Sequence, residues 1–271
     1  MMKHILLAFQ FLTIVPIRVS GTVSERDIAR SAAFFPLVGA FQGLLAALAA
    51  LLLIKVFPPD ITSGLVLLLL TASSGGFDLD GLADMADALS VKATGNAQAD
   101  QERRLAVMKD SSIGAMGVLA LIMSILLKFL FIHRLFLDNS IFTGASVLFL
   151  MPVFSKWITV PAMYHGISAR RDGLGRIFLN NVKKNTVAFA SALLLLIYIA
   201  VAELHLSKAY GQGSITLFFI LFALFYLLSF LSVRFSAKRF GGLTGDVFGA
   251  LSEISEILFL AVITLWLQHF I

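Results

Sequence analysis

Apolar residues in this chain come in long runs rather than in alternation. Windows of about 20 apolar residues fall near 31–54, 61–78, 113–134, 142–163, 186–203, 214–233 and 247–270, each long enough to cross the roughly 30 Å hydrocarbon layer of a bilayer as a helix. Stretches such as Ser63 to Ala72 and Ala192 to Val201 are almost continuously apolar, whereas the strands of a membrane barrel would alternate with period two. The pattern predicts an all-α fold, a polytopic integral membrane bundle of about seven transmembrane helices. The start, Met1 to His4 followed by the apolar run Ile5 to Pro16, imitates a signal peptide. Arg18 interrupts the small-residue cleavage pattern after it, so we read a retained amphipathic or re-entrant segment. No repeat and no Pro/Ser-rich linker divides the chain, and residues 1–271 are taken as one membrane-embedded domain.

Composition agrees with lipid as the main solvent. Hydrophobic residues make up 59% of the chain and charged ones only 14%, about half the charge a soluble domain needs to cover its surface. There is no cysteine, which excludes disulfides, thiolate metal sites and cysteine nucleophiles. The five histidines (His4, His133, His165, His205, His269) form no ligand spacing, so a metal here would have oxygen ligands.

The few charges are unevenly placed. With the N-terminus in the cytoplasm, 16 of the 21 Lys and Arg fall in cytoplasmic segments, and only Lys55, Arg134 and Lys208 lie outside. The positive-inside rule then gives N-in and C-out. One cytoplasmic loop opposes the trend: residues 78–112 carry seven acids against four bases. Its core runs Gly75-Gly76-Phe77-Asp78-Leu79-Asp80-Gly81-Leu82-Ala83-Asp84-Met85-Ala86-Asp87. In a helix, Asp80, Asp84 and Asp87 share a face at i, i+4 and i+7, while Asp78 points away unless the helix breaks at the glycines. Carboxylates about 6 Å apart repel by roughly 3 kcal/mol at an effective dielectric near 20. The cluster therefore calls for a cation, and hard oxygen ligands point to Mg²⁺, with Mn²⁺ as the alternative. The small residues between the acids, Gly81, Ala83 and Ala86, would let a ligand approach closely. The competing reading is a solvated acidic face.

The loop ends in Arg103-Arg104 and Met108-Lys109-Asp110-Ser111-Ser112-Ile113-Gly114. A helix start capped by Ser111 or Ser112 and flanked by Arg103, Arg104 and Lys109 would form an anion site. Lys156 lies within the fourth span, where it would meet a substrate phosphate, pair with Glu253, or snorkel to the interface. Lys128 in the third span is expected to snorkel outward. Asp246 opens the last span, and Glu253 follows at i+7, giving a second acidic wall expected to face the first. Together these features suggest divalent-metal-dependent phosphoryl or prenyl chemistry on an amphiphile. A cation-coupled transporter is the competing class, but it would place acids at the bilayer midplane rather than at one interface.

Five segments carry a family resemblance: Ala8 to Thr13 with Pro16; Phe34-Phe35-Pro36-Leu37-Val38-Gly39; Asp78 to Asp87; Met108 to Ser111 with Ile113-Gly114; and Gly241-Gly242 with Thr244-Gly245-Asp246 and Gly249-Ala250. In this order they resemble cobalamin synthase, the adenosylcobinamide-GDP ribazoletransferase family, over nearly the whole chain. Arg170-Arg171-Asp172-Gly173-Leu174-Gly175 also resembles the family's loop after the fourth span. The chain departs from the family at Phe77, where His is frequent, at Arg171, where Pro is, and at Lys156, where Arg is. Lys cannot give the bidentate phosphate contact of Arg. By motif alone the acidic run is similar to that of CDP-alcohol phosphotransferases, without their Ala-Arg part.

The resemblance implies a Mg²⁺-dependent transferase of the bacterial cytoplasmic (inner) membrane, multi-pass, with its active site facing the cytoplasm. It would join adenosylcobinamide-GDP to α-ribazole, or its 5′-phosphate, and release GMP late in cobalamin biosynthesis. Its partners would be these substrates and membrane lipid, with no nucleic acid, and a homo-oligomer or a complex with other cobalamin-pathway enzymes stays open. On that basis Asp78, Asp80, Asp84 and Asp87 are expected as metal ligands, with Asp84 and Asp87 catalytic and Asp87 the base. Arg103, Arg104, Lys109, Ser111 and Lys156 would take phosphate, and Asp246 and Glu253 would complete a metal or ribazole site.

Overall fold

A computed structural model describes residues 1–171, 173–202 and 213–270. Asp172, His205 and Lys208 lie outside them. The described residues form helices with no named strand, joined by one isolated bridge between Ser168 and Leu243. Helix α1 is Met2–Leu12, and α2 (Glu25–Ser31) passes through a short 3-10 turn into α3 (Phe35–Leu53). Then follow α4 (Pro59–Ser74), α5 (Phe77–Ser90), α6 (Ala97–Val107) and α7 (Ala115–Asp138). The rest are α8 (Ile141–Trp157), α9 (Thr159–His165), α10 (Leu174–Asn181), α11 (Lys184–Val201), α12 (Gly213–Phe240) and α13 (Gly245–Phe270).

Six segments among the described residues are long and apolar enough to cross a membrane: α2–α3, α7, α8–α9, α11, α12 and α13. The bent pair α4–α5 makes a seventh when its two helices are taken together, so six to seven segments stand against the expected count of about seven. The expected window 61–78 overran its helix, because α4 stops at Ser74 and α5 sets off at 86° to it. Gly75 and Gly76 sit at φ 71° and 74°, a left-handed pair that side-chain-bearing residues resist. Their amides close the end of α4 on Ala72 and Thr71 at 3.0 and 3.1 Å. Helix α5 thus lies across the end of the bundle instead of prolonging a span.

Helix α8 is the hub. Apolar almost all round, it is buried from Thr143 to Trp157 apart from Phe149, as expected of a helix enclosed by others. Its closest partner is α3, where a Cβ on Gly39 would stand 2.3 Å from the Pro152 carbonyl oxygen and one on Gly43 2.1 Å from that of Phe149. Small residues four apart allow this approach, the usual solution where apolar burial cannot drive helices together in lipid. The N-terminal segment is the short apolar helix α1, with Leu7 and Ala8 buried.

Candidate functional site

The connection 166–170 pairs with 241–243: the Ala169 amide donates to the Leu243 carbonyl at 3.0 Å, and the Leu243 amide to that of Ile167 at 2.8 Å. A Cβ on Gly242 would fall 2.5 Å from the Ile167 carbonyl oxygen, so only glycine admits this contact. The pairing brings Arg170 to Asp246 at 3.1 Å. A pocket of about 360 Å³ opens there, lined by Lys109, Arg170, Arg176, Thr244 and Asp246 among others. The Nε atoms of Arg170 and Arg176 are buried without a hydrogen-bond partner, a state a buried donor holds only at a cost of about 1–3 kcal/mol unless a ligand completes it. Through Gly175 and Gly245 this pocket adjoins a smaller cavity of about 180 Å³, walled by Phe11, Phe35, Phe178 and Phe248 and carrying Asp78 and Lys156.

Helix α5 is wedged between α7 and α13. A Cβ on Gly81 would lie 2.6 Å from the Asp246 carbonyl oxygen, and one on Gly249 3.1 Å from the Asp78 Cα. Gly81 therefore serves helix packing rather than ligand approach, and Ala83 is buried; the reading of these two as a ligand's entry is corrected, while Ala86 is half-buried. The acids of α5 separate into three environments. Asp80 and Asp84 remain on the open side, near Asp246. Burial, then Asp80, Asp246 and Asp87 in that order, push the Asp84 carboxyl up to about 6, against the opposing pull of Arg170. Such a group is short of positive charge.

Asp87 has a different task. It is buried and accepts the amides of Gly114 at 2.7 Å and Gly117 at 2.8 Å, so it caps α7 in place of Ser111 or Ser112. The helix start read as an anion site is filled by the chain's own carboxylate. With one amide on each of its oxygens, Asp87 is placed as a group that positions the start of α7 rather than standing free as the expected base or metal ligand. Asp78 is paired with Lys156 and accepts from Ser252 at 3.2 Å. Among the described residues no three His, Asp or Glu side chains gather closely enough to hold a metal ion, so the structure does not bring the four expected Asp ligands together.

Lys128 does not snorkel. It is 2% exposed, and its ammonium lies 2.7 Å from Glu253 and 3.0 Å from Glu256. Ser124 donates to Glu253 at 2.8 Å, and Ser155 to Glu256 at 3.2 Å. Glu253 therefore faces the bundle core, not the acidic run, and only Asp246 of the expected second wall faces α5. Lys156 pairs with Asp78 instead of Glu253 and donates to Ser252 at 3.1 Å. Arg104 is buried and donates to the Arg239 carbonyl at 3.2 Å, tying α6 to the end of α12; its Nε also lacks a partner, but it lines neither pocket. Arg103 and Ser111 are exposed outside both pockets, while Lys109 lines the larger one. Arg170 and Arg176, which line the larger pocket, are not among the residues expected from sequence; two arginines among glycines in the loop before α10 were the available signal.

A helical membrane bundle in which two arginines, each paired once and each with a free Nε, stand close to a row of carboxylates at one end is the frame of an integral-membrane protein that handles an anionic substrate. The chain belongs to the cobalamin-5-phosphate synthase family, whose profile matches residues 4–264. It is 33% identical to the adenosylcobinamide-GDP ribazoletransferase of Thermodesulfovibrio yellowstonii, covering 99% of this chain and 100% of that one. It is 34% identical to the enzymes of the same name from Desulfitobacterium hafniense (96% and 95% covered) and Geotalea daltonii (95% of each). No solved structure matches it.

Proposed function

We propose that this chain is an adenosylcobinamide-GDP ribazoletransferase, joining adenosylcobinamide-GDP to α-ribazole or its 5′-phosphate and releasing GMP. The observation that carries the reading at the level of chemistry is the pocket in which Arg170 and Arg176 keep buried, unpartnered Nε groups and Asp246 lines the wall, with Asp84 within electrostatic reach of Arg170 and Asp246. Guanidiniums grip pyrophosphate oxygens in a planar fork, with Lys109 as a further cation.

Asp80 and Asp246 are the residues that would hold Mg²⁺. Two carboxylates suffice, since this ion keeps waters and takes its remaining ligands from substrate phosphates, which fits a site where three carboxylates do not converge. Held there, Mg²⁺ would supply charge neutralisation to the pyrophosphate and polarisation to the phosphoryl group. The ribazole hydroxyl oxygen attacks the phosphorus on the cobinamide side, the bond to the GMP oxygen breaks, and Asp84 takes the hydroxyl proton. Its raised value, nearer to neutrality than an ordinary carboxyl, suits a base. Arg170 and Arg176 hold the charge on the departing GMP. The adjoining phenylalanine-walled cavity would receive an apolar part of a substrate.

The site lies at the end of the bundle that carries most of the basic residues, so we assign that end to the cytoplasm and the protein to the bacterial inner membrane. The test is GMP release from purified protein in liposomes given adenosylcobinamide-GDP and α-ribazole, with and without Mg²⁺. Release that needs all three supports the reading, and its absence, or turnover indifferent to Mg²⁺, overturns it.

A further inference from the structure

A second basic pocket, of about 530 Å³, opens between α2 and the start of α11. Its lining includes Arg26, Arg30, Lys183 and Asn185, with Phe34 and Phe189 on one flank. It lies beyond the candidate site: α10 presents Gly175 and Phe178 to the site cavities and reaches this pocket with Asn180 and Asn181. Among the described residues, Arg26, Arg30 and Lys183 make no ion pair, and the acids beside them are already engaged. Asp27 is held by Lys3 at 2.9 Å and His4 at 3.0 Å, and Glu25 by Arg176 at 3.1 Å. Three unpaired cations around one cavity repel each other, and a bound anion relieves that.

The apolar flank restricts which anion. Phe34 and Phe189 meet edge to face at 5.4 Å. Phe189 is 48% exposed and belongs to the face of the spanning helix α11 that also exposes Leu196 and Ile199, the face that meets acyl chains. Towards the other end of the same helix, α3 and α11 border an apolar groove lined by Leu44, Leu48, Leu51 and Ile197. The cations thus sit where a polar headgroup passes into hydrocarbon, a setting in which basic pockets between membrane helices take anionic headgroups.

We propose that this pocket binds the phosphate headgroup of an anionic phospholipid, with Arg26, Arg30 and Lys183 around the phosphate and the Phe34–Phe189 pair against the first acyl carbons. The proposal is independent of the activity assigned above, and its test does not read turnover. Detergent-purified full-length protein is loaded from phosphatidylglycerol or phosphatidylcholine vesicles, washed, and weighed by native mass spectrometry for retained lipid. The same experiment is repeated with glycerol phosphate, at the lipid's own concentration, as competitor. Wild type should retain one phosphatidylglycerol and no phosphatidylcholine. Each single change, Arg26→Gln, Arg30→Gln or Lys183→Gln, should weaken retention about fivefold, in line with roughly 1 kcal/mol per basic residue near an anionic surface. The triple variant should abolish it, and a triple of exposed cations elsewhere (Lys55→Gln, Lys92→Gln, Lys238→Gln) should keep it. The single variants keep the test valid if the triple fails to fold. Equal loss in the two triples, or retention unchanged in the pocket variants, overturns the proposal. Displacement by glycerol phosphate at the lipid's own concentration also overturns it, because the ligand would then be a free phosphate.

Discussion

Lys128→Met should be among the most damaging single substitutions in the bundle. Lys128 holds Glu253 and Glu256 within 3.0 Å of one nitrogen, so the two carboxylates stand within roughly 6 Å of each other. At an effective dielectric of about 20 their bare repulsion is near 3 kcal/mol, and removing one partner of a buried pair costs about 3–5 kcal/mol. Methionine fills most of the lysine volume, so cavity formation adds little. The variant's thermal midpoint, read by intrinsic fluorescence in detergent against wild type, should fall by an amount equivalent to about 3–5 kcal/mol. Combining it with Glu253→Gln and Glu256→Gln should recover most of the loss, since the amides can still accept from Ser124 and Ser155 without carrying charge. An unchanged midpoint for Lys128→Met, or a triple variant less stable than the single one, would refute the account of this cluster as a mutually compensated charge group.

Asp87→Asn leaves one of the two amides it accepts facing an NH₂ group and removes the charge at the start of α7. Stability should drop by about 2 kcal/mol, and Gly117→Ala, whose Cβ would lie 2.4 Å from the Asp87 carboxylate, should mimic it; a stable Asp87→Asn protein that has lost only turnover would restore Asp87 as the base. Arg170→Lys and Arg176→Lys should each raise KM for the nucleotide substrate about tenfold or more, because a lysine cannot reproduce the fork, as steady-state GMP release will read. The rate of GMP release should fall about tenfold per pH unit below roughly 6, where Asp84 takes up a proton; metal binding nearby shifts this limb lower, not higher, and Asp84→Asn should remove it along with most of the turnover. Since the chain has no cysteine, single cysteines at Ser112 and Lys55 can report orientation: a membrane-impermeant maleimide on intact cells should label Lys55→Cys and spare Ser112→Cys.

Lipid makes a simple demand on sequence. A backbone that cannot hydrogen-bond to its solvent must form helices long enough to cross it, and their apolar windows are visible one residue at a time. The expected spans accordingly overlap α2–α3, α7, α8–α9, α11, α12 and α13, with most ends within a few residues, although α2 begins six residues before its window and α12 runs seven beyond. The glycine pair before the acidic run was legible as a place where a helix could break, but only the fold decided that it did and by what angle. Which charge meets which was not legible at all. Lys128 finds acids more than a hundred residues away, Arg170 finds Asp246 through a bridge between two loops, and Asp87 finds the start of α7. In each case the partner is set by how helices cross, a long-range geometry that no local pattern records, while the cost of burying a charge ensures that some partner exists. The sequence alone therefore determined the solvent, most of the spans and where the few charges cluster along the chain. Tertiary structure determined which of those acids and bases are spent on holding the helices together and which are left for a substrate.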